Sequence, residues 1–469
     1  MTMTVKMTID GEQIASEQQF EVLNPAIEEV HGTAPECSRD QLDSAMAAAE
    51  HALHSWRQDV DSRRSILRQC AERMRANTEE LAKLLTQEQG KPLAKAKREI
   101  GGSARWFEYT ADLEIPSTLI DVQGQDSVEV LRRPLGVVAA IIPWNYPVMT
   151  AVWKIAPALL TGNTVVLKPS PYTPLTTLRL GELLNDLIPK GVLNIVSGGD
   201  VLGEWMSCHP AVRKISFTGS ISAGKSVALS AAPDLKRLTL ELGGNDPAII
   251  LPNTDPKAIA DKLFTAAFEN SGQVCVAIKR IFVPEDIYRE TIDELATIAR
   301  GVKLGNGLDE NTDLGPVNNR KQFERVQELV ADAKQNGGTI AAGGGRYGDK
   351  GFFLEPAIVG DLADDARLVA EEQFGPALPI LPYREIEEVI ERANSGKFGL
   401  AASVWGSNKK QAAEIAQELD YGLVWVNQHL NIVPQVPIGG LKWSGIGVEN
   451  GPWGLLEYTE LQVIEVAED

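Results

Sequence analysis

Cys275 closes the run Asn270-Ser271-Gly272-Gln273-Val274-Cys275, behind the apolar stretch Leu263 to Phe268. Its small and polar neighbours are those of a thiol delivered to a cleft on a tight loop, where the thiolate acts as a nucleophile. A buried cysteine filling an apolar gap is the competing reading for any single thiol. Three further motifs offer it partners. Pro143-Trp144-Asn145-Tyr146-Pro147 follows an apolar run, its prolines fix a turn, and the Asn145 amide there suits a developing oxyanion, or simply a structural turn. Glu241-Leu242-Gly243-Gly244 sets a carboxylate beside glycines that keep backbone bulk low, which suits a general base facing a cleft, or a solvated loop. In Glu371-Glu372-Gln373-Phe374-Gly375-Pro376 a carboxylate precedes a fixed turn and could hold ribose hydroxyls, or be plain acidic surface.

Gly219-Ser220-Ile221-Ser222-Ala223-Gly224-Lys225-Ser226 satisfies the phosphate-loop pattern GxxxxGK[ST] between a strand and a helix. Read literally, it makes a nucleoside triphosphatase. That reading leaves Cys275, Glu241 and Asn145 unused, and no second acidic strand end stands out for Mg²⁺. The same residues suit a dinucleotide pyrophosphate on a helix N-terminus.

The elements that must position these residues follow from periodicity. Arg39 to Ala111 is helical, with a break at Gly90-Lys91-Pro92, and Leu113 to Leu135 reads as a protruding hairpin. From Gly136, strands at Val137–Ile142, Thr164–Leu167, Leu193–Val196, Lys214–Phe217 and Arg237–Leu240 alternate with helices near Val148–Leu160, Pro174–Leu187, Val201–Cys208 and Ala223–Ser230. Such alternation predicts an α/β fold with a parallel, doubly wound, Rossmann-like sheet. A second α/β series runs from Pro247 to about Val426, and Glu460–Val466 alternates like an edge strand that could pair with the hairpin and meet a partner subunit.

The 469 residues predict about three domains, or two large ones with an appendage. A net charge of −19 argues against nucleic acid or an anionic membrane as partner. Met1 to Gly11 has no apolar core to serve as a signal peptide and no run approaches membrane-spanning length, so neither a leader nor a membrane span is expected. Cys37, Cys70, Cys208 and Cys275 are scattered, so a reducing, cytoplasmic setting is expected. His51 and His54 lack carboxylate or thiol company, and no metal site is expected.

Pro143–Asn145, Lys168-Pro169-Ser170, Phe217-Thr218-Gly219-Ser220, Glu241–Gly244, Gly272–Cys275, Glu372–Pro376, Gly439–Gly445 and Tyr458-Thr459-Glu460 stand in the order and spacing of the aldehyde dehydrogenase superfamily, which the chain resembles along essentially its whole length. The resemblance implies a Rossmann-like cofactor domain (1–112 and 134–243), an α/β catalytic domain (244–440) and a small β oligomerisation element (113–133 and 454–469), as in family dimers and tetramers. It implies oxidation of an aldehyde to the acid with NAD or NADP. Cys275 would form a thiohemiacetal and then a thioester, with Asn145 as oxyanion donor and Glu241 as base. Lys154 and Glu449 match the family's proton relay, with a plain ion pair as the alternative. Ile142, Pro143, Trp144, Lys168, Ser170, Phe217, Gly219, Ser220, Gly243, Glu372 and Phe374 match cofactor positions. Tyr146, Trp153, Glu269, His429 and Leu430 match the substrate tunnel. Relatives that pass the acyl group to CoA generally lack the carboxylate at Glu241, so hydrolysis is favoured over CoA acylation.

Two positions depart from the pattern. Pro171 stands where NAD-preferring relatives often carry a Glu that repels a 2′-phosphate, so dual NAD and NADP use is expected. Glu269 replaces the Arg or aromatic residue of other branches. A free carboxylate there would attract a cationic aldehyde such as an aminoaldehyde, unless it points into solvent at the tunnel entrance.

Overall fold

The computed structural model describes residues 3–121 and 128–466. The N-terminal part contributes five short strands that periodicity alone did not reveal: β1 (Met3–Thr4), β2 (Met7–Ile9), β3 (Glu12–Ile14), β4 (Gln19–Asn24) and β5 (Glu29–Pro35). The helical stretch is four helices rather than two: α1 (Arg39–Trp56), α2 (Val60–Ala76), α3 (Thr78–Gln89) and α4 (Leu93–Ala111). Ser38 caps α1 with a full capping box, and Asp59 caps α2, so side-chain caps make boundaries where no proline or glycine does. The break at Gly90 is where expected, with Gly90 left-handed at φ 103°.

The hairpin is β6 (Thr118–Ile120) and β7 (Val128–Pro134). Then come β8 (Val137–Ile141), α5 (Pro147–Leu160), β9 (Thr164–Lys168), α6 (Leu175–Leu184), β10 (Leu193–Ile195), α7 (Asp200–Cys208), β11 (Val212–Thr218), α8 (Ile221–Ala231) and β12 (Arg237–Glu241). Strands β12, β11, β8, β9 and β10 lie side by side and parallel, and β2 and β3 extend the far edge antiparallel. Every residue of β8 and β9 is buried, because helices cover both faces and leave no polar alternation. The chain runs outward from β8 to β10, then returns to β11 on the other side. The order therefore reverses between β8 and β11, and the carboxyl ends of these two strands open onto the crevice where doubly wound sheets bind ligands.

A second sheet is built from β13 (Asp246–Ile250), β14 (Ile278–Pro284), β15 (Thr339–Ala342), β16 (Ala357–Gly360), β17 (Ala377–Tyr383), β18 (Ala401–Trp405) and β19 (Leu423–Val426), parallel except for β15. Helix α9 (Pro256–Phe268) joins β13 to the loop before β14. The short β20 (Gly445–Ile446) then returns to pair with β12, which ties the chain beyond 440 to the first sheet. Finally β21 (Thr459–Glu465) pairs antiparallel with β7, from Thr459 opposite Pro134 to Glu465 opposite Val128.

Candidate active site

Helix α9 is started by Asp255, whose carboxylate accepts from the Lys257 N–H, and by Pro256 at its first position. It stops at Phe268. Asn270, Ser271 and Gly272 then take three consecutive left-handed conformations, φ 51°, 57° and 75°. For Asn and Ser this is strained backbone, held only if the surroundings over-determine it. They do. Asn270 Nδ2 donates to the Asn145 carbonyl at 3.2 Å, Ser271 Oγ to Gly315 O at 2.7 Å, and Gln273 Nε2 to Asn270 O at 2.8 Å. Gln273 Oε1 accepts from Asn318 N at 2.8 Å. A Cβ at Gly272 would collide with the Gly375 carbonyl, so glycine is the residue that fits. The loop ends with Cys275 half-buried on a cavity wall.

Asn145, Glu241, Gly243, Glu269 and Glu372 line the same cavity, of about 1820 Å³. Asn145 follows β8 at the strand-order reversal, and its Nδ2 donates to Gln273 O at 2.9 Å on the Cys275 loop. An amide nitrogen has two N–H groups, so one remains for a reacting oxygen. Glu241 is the last residue of β12, buried, with its Oε1 unpartnered among the described residues. Burial raises its pKa well above the usual carboxylate range, and the nearby Glu449 adds to this while Lys154 opposes it. Burial, and then the Glu241 carboxylate, push the Cys275 thiol up to about 12. Burial does the same to Cys37 and Cys70. Thiol acidity therefore does not single out Cys275; its place on the cavity wall does. At rest it is a thiol, not the thiolate the loop suggested, and needs a base.

Behind Glu241, Lys154 of α5 and Glu449 form a fully buried ion pair, and Glu449 Oε1 also accepts from Ser216 Oγ at 3.1 Å. The other Glu449 oxygen has no partner among the described residues.

The cavity continues from Cys275 to the turn Thr218-Gly219-Ser220 after β11. Ser220 caps α8, its Oγ accepting from Ala223 N at 3.3 Å, and the buried Thr218 Oγ1 has no partner among the described residues. Lys225 stands with its Nζ 3.3 Å from the centre of the Trp443 ring, a cation–π contact, so the lysine that a triphosphate loop would aim at phosphates is committed elsewhere. Glu372 accepts from Gly244 N at 3.0 Å, and a Cβ on Gly243 would collide with its carboxylate. Phe374, at φ 46°, sets its ring edge-on to Trp144 with centroids 5.4 Å apart. An open helix start, an unpaired hydroxyl, a glycine cradle and a carboxylate thus line one groove, which fits an elongated dinucleotide. Ile142, Lys168, Ser170 and Phe217 lie at the ends of β8, β9 and β11 but are not on the cavity wall. Lys168 is buried, and burial lowers its pKa to about 8 against the opposing charges of Asp200 and Glu36.

On the other side of Cys275 the cavity is aromatic. Trp106 of α4 and Trp153 of α5 lie 5.7 Å apart, with Tyr146, Met149, Leu430 and Ile432 nearby. His429 is held by Val276 O at 2.7 Å, and burial pushes its pKa down to about 3, so it is a neutral wall. The sequence reading of Glu269 needs correcting: its carboxylate neither faces a substrate unpaired nor points into solvent. Lys95 of α4 pairs with it, and the Tyr146 hydroxyl lies 3.5 Å from its other oxygen. Trp106 and Lys95 were missed because nothing local marks them; Lys95 and Glu269 are 174 residues apart in the chain.

Residues 13–464 match the aldehyde dehydrogenase family. The chain is 39% identical to phenylacetaldehyde dehydrogenase of Pseudomonas fluorescens, covering 98% of this chain and 96% of that one. It is 38% identical to human retinaldehyde dehydrogenase 3, covering 96% and 90%. Its fold superposes on the NAD⁺ complex of a Bacillus cereus aldehyde dehydrogenase with a TM-score of 0.98 at 37% identity, over 100% of this chain and 97% of that one.

Proposed function

The chain belongs to the aldehyde dehydrogenase family, as an NAD(P)-dependent enzyme that oxidises aldehydes, and from that premise we propose how its own residues carry the reaction. Cys275 Sγ attacks the aldehyde carbon as Glu241 takes the thiol proton, forming a C–S bond and a tetrahedral oxyanion. Asn145 Nδ2–H and the Cys275 backbone N–H hold that oxygen. The nicotinamide cofactor, when bound along the groove from Ser220 to Glu372, supplies the hydride acceptor. The acyl group is then a Cys275 thioester. Glu241 removes a proton from water, the water oxygen attacks the acyl carbon, the C–S bond breaks, and the carboxylic acid leaves. Lys154 and Glu449 pass the proton on from Glu241. The observation that carries this reading is that Cys275, Glu241 and Asn145 line one cavity, with Asn145 bonded to the Cys275 loop.

The retained Glu241 favours hydrolysis over transfer to CoA. Aromatic walls and a neutralised Glu269 favour apolar or aromatic aldehydes over cationic ones, with phenylacetaldehyde, named for a relative, as the first to try. Pro171, without charge or donor, supports use of both NAD and NADP. The division into cofactor, catalytic and oligomerisation parts proposed from the sequence stands as our reading, with residues after 440 also serving the first sheet through β20. Leu119, Leu461 and Val463 expose apolar area on the β21–β7–β6 sheet, which supports a homodimer or homotetramer. No described helix is long and apolar enough to cross a membrane, and four unpaired cysteines support a reducing, cytoplasmic setting. Replacing Cys275 by Ala is expected to abolish aldehyde oxidation while leaving NAD affinity within about threefold; full turnover by that variant would exclude the assignment.

A further inference from the structure

Lys91 is 1% exposed, and nothing in the reaction above uses it. Desolvating an ammonium costs several kcal/mol unless its donors are met. Here they are met by one small region. Lys91 Nζ donates to the Glu99 carboxylate and, at 2.8 Å, to the backbone carbonyl of Asn145, and it stands 3.6 Å from the centre of the Tyr146 ring. Glu99, equally buried, uses its other oxygen to accept from Val148 N at 3.0 Å and Met149 N at 3.2 Å, the open N–H groups in the first turn of α5. The pair therefore grips the chain from the Asn145 carbonyl to the first turn of α5. Both residues come from the α3–α4 corner, Lys91 directly after the left-handed Gly90 and Glu99 two turns into α4. Neither lines the cavity, so neither touches a substrate.

An oxyanion donor works only if held to within a fraction of an ångström of where the charge develops. A buried ion pair is in general a weak source of stability, so this one is better explained by the backbone groups it holds, the Asn145 carbonyl and the first turn of α5. We propose that the Lys91–Glu99 pair is a positioning device for the oxyanion donor, fixing the Asn145 backbone so that its side-chain amide meets the thiohemiacetal oxygen. The proposal rests on the reading of Asn145 as that donor.

A double-mutant cycle on the full-length enzyme tests it. Lys91→Met is expected to lower kcat about ten- to a hundredfold with the Kd for NAD unchanged within about twofold, whereas in an Asn145→Ala background the same change should move kcat less than about threefold. Equal losses in both backgrounds would overturn the proposal, because a purely structural role is independent of Asn145. Should Lys91→Met not fold by circular dichroism, Glu99→Gln in the same two backgrounds decides on the same criterion. An Asn145→Ala variant with undiminished kcat would instead remove the oxyanion reading beneath it.

Discussion

Replacing Glu241 by glutamine keeps the volume and burial of the side chain and removes only its ability to take a proton. A positioned general base is worth roughly 10²–10⁴ in rate, about 3–5 kcal/mol of barrier. The structure argues for the upper part of that range because no neighbour can take over. Of the other carboxyls on the cavity wall, Glu269 is held by Lys95, Glu371 by Arg325 and Arg367, and Glu372 by Gly244 N, while Asp261 is exposed. His429 is neutral, with one nitrogen bonded to Val276 O. Of the carboxyls lining the cavity, Glu241 alone combines burial, an oxygen unpartnered among the described residues and a pKa raised above the usual carboxylate range; Asp246, which shares those traits, does not line it. The sign of the pH dependence follows. A carboxyl with a raised pKa is protonated below it, so turnover of the parent enzyme should rise with pH through that raised value, and the glutamine variant should lose that limb. The assay is rapid mixing of aldehyde with the NAD-loaded variant. Because Glu241 takes the proton of the Cys275 thiol as well as that of water, both half-reactions should slow, giving no burst of NADH and a steady state about a thousandfold or more below the parent. A steady state within tenfold of the parent would refute the reasoning.

Other consequences are simpler to state. Glu269→Gln should change the preference between a cationic aminoaldehyde and a neutral aldehyde of equal length by less than about threefold in kcat/KM, since Lys95 already answers the charge; a tenfold loss for the aminoaldehyde alone would restore a recognition role. With Pro171 in place of a carboxylate, kcat/KM for NADP should lie within about a thousandfold of that for NAD. If the Lys168 ammonium meets the 2′-phosphate, the NADP value alone should fall as pH rises past about 8, where that charge is lost; parallel profiles for the two cofactors would contradict this. Gly272→Ala forces a side chain onto a left-handed residue against the Gly375 carbonyl and should cost at least about 2 kcal/mol in urea denaturation, along with activity.

Much of the candidate site was legible in the sequence because strand-end chemistry is local. Asn145 between two prolines, Glu241 before two glycines, and Cys275 after a glycine each carry a turn signal beside a functional atom, and the alternation around them fixed the parallel sheets. The four-helix division of 39–111 was not legible, since Ser38, Asp59 and Asn77 make boundaries through side-chain caps or a single non-helical residue that apolar periodicity does not register. Strands β1 to β3, of two or three residues, were too short for a period to show, and β5 carries a glycine and a proline, which read as turn signals.

What the sequence determined by itself was which atoms could react: a thiol, a carboxylate and an amide, each on a tight turn, and a helix start able to carry a pyrophosphate. Tertiary structure alone decided the state of those atoms. Burial first, and neighbouring charges from distant segments second, raise the pKa of Cys275 and of Glu241 above their usual ranges, and a lysine 174 positions away pairs with Glu269. Protonation and pairing depend on desolvation and on contacts between distant segments, which no local pattern encodes.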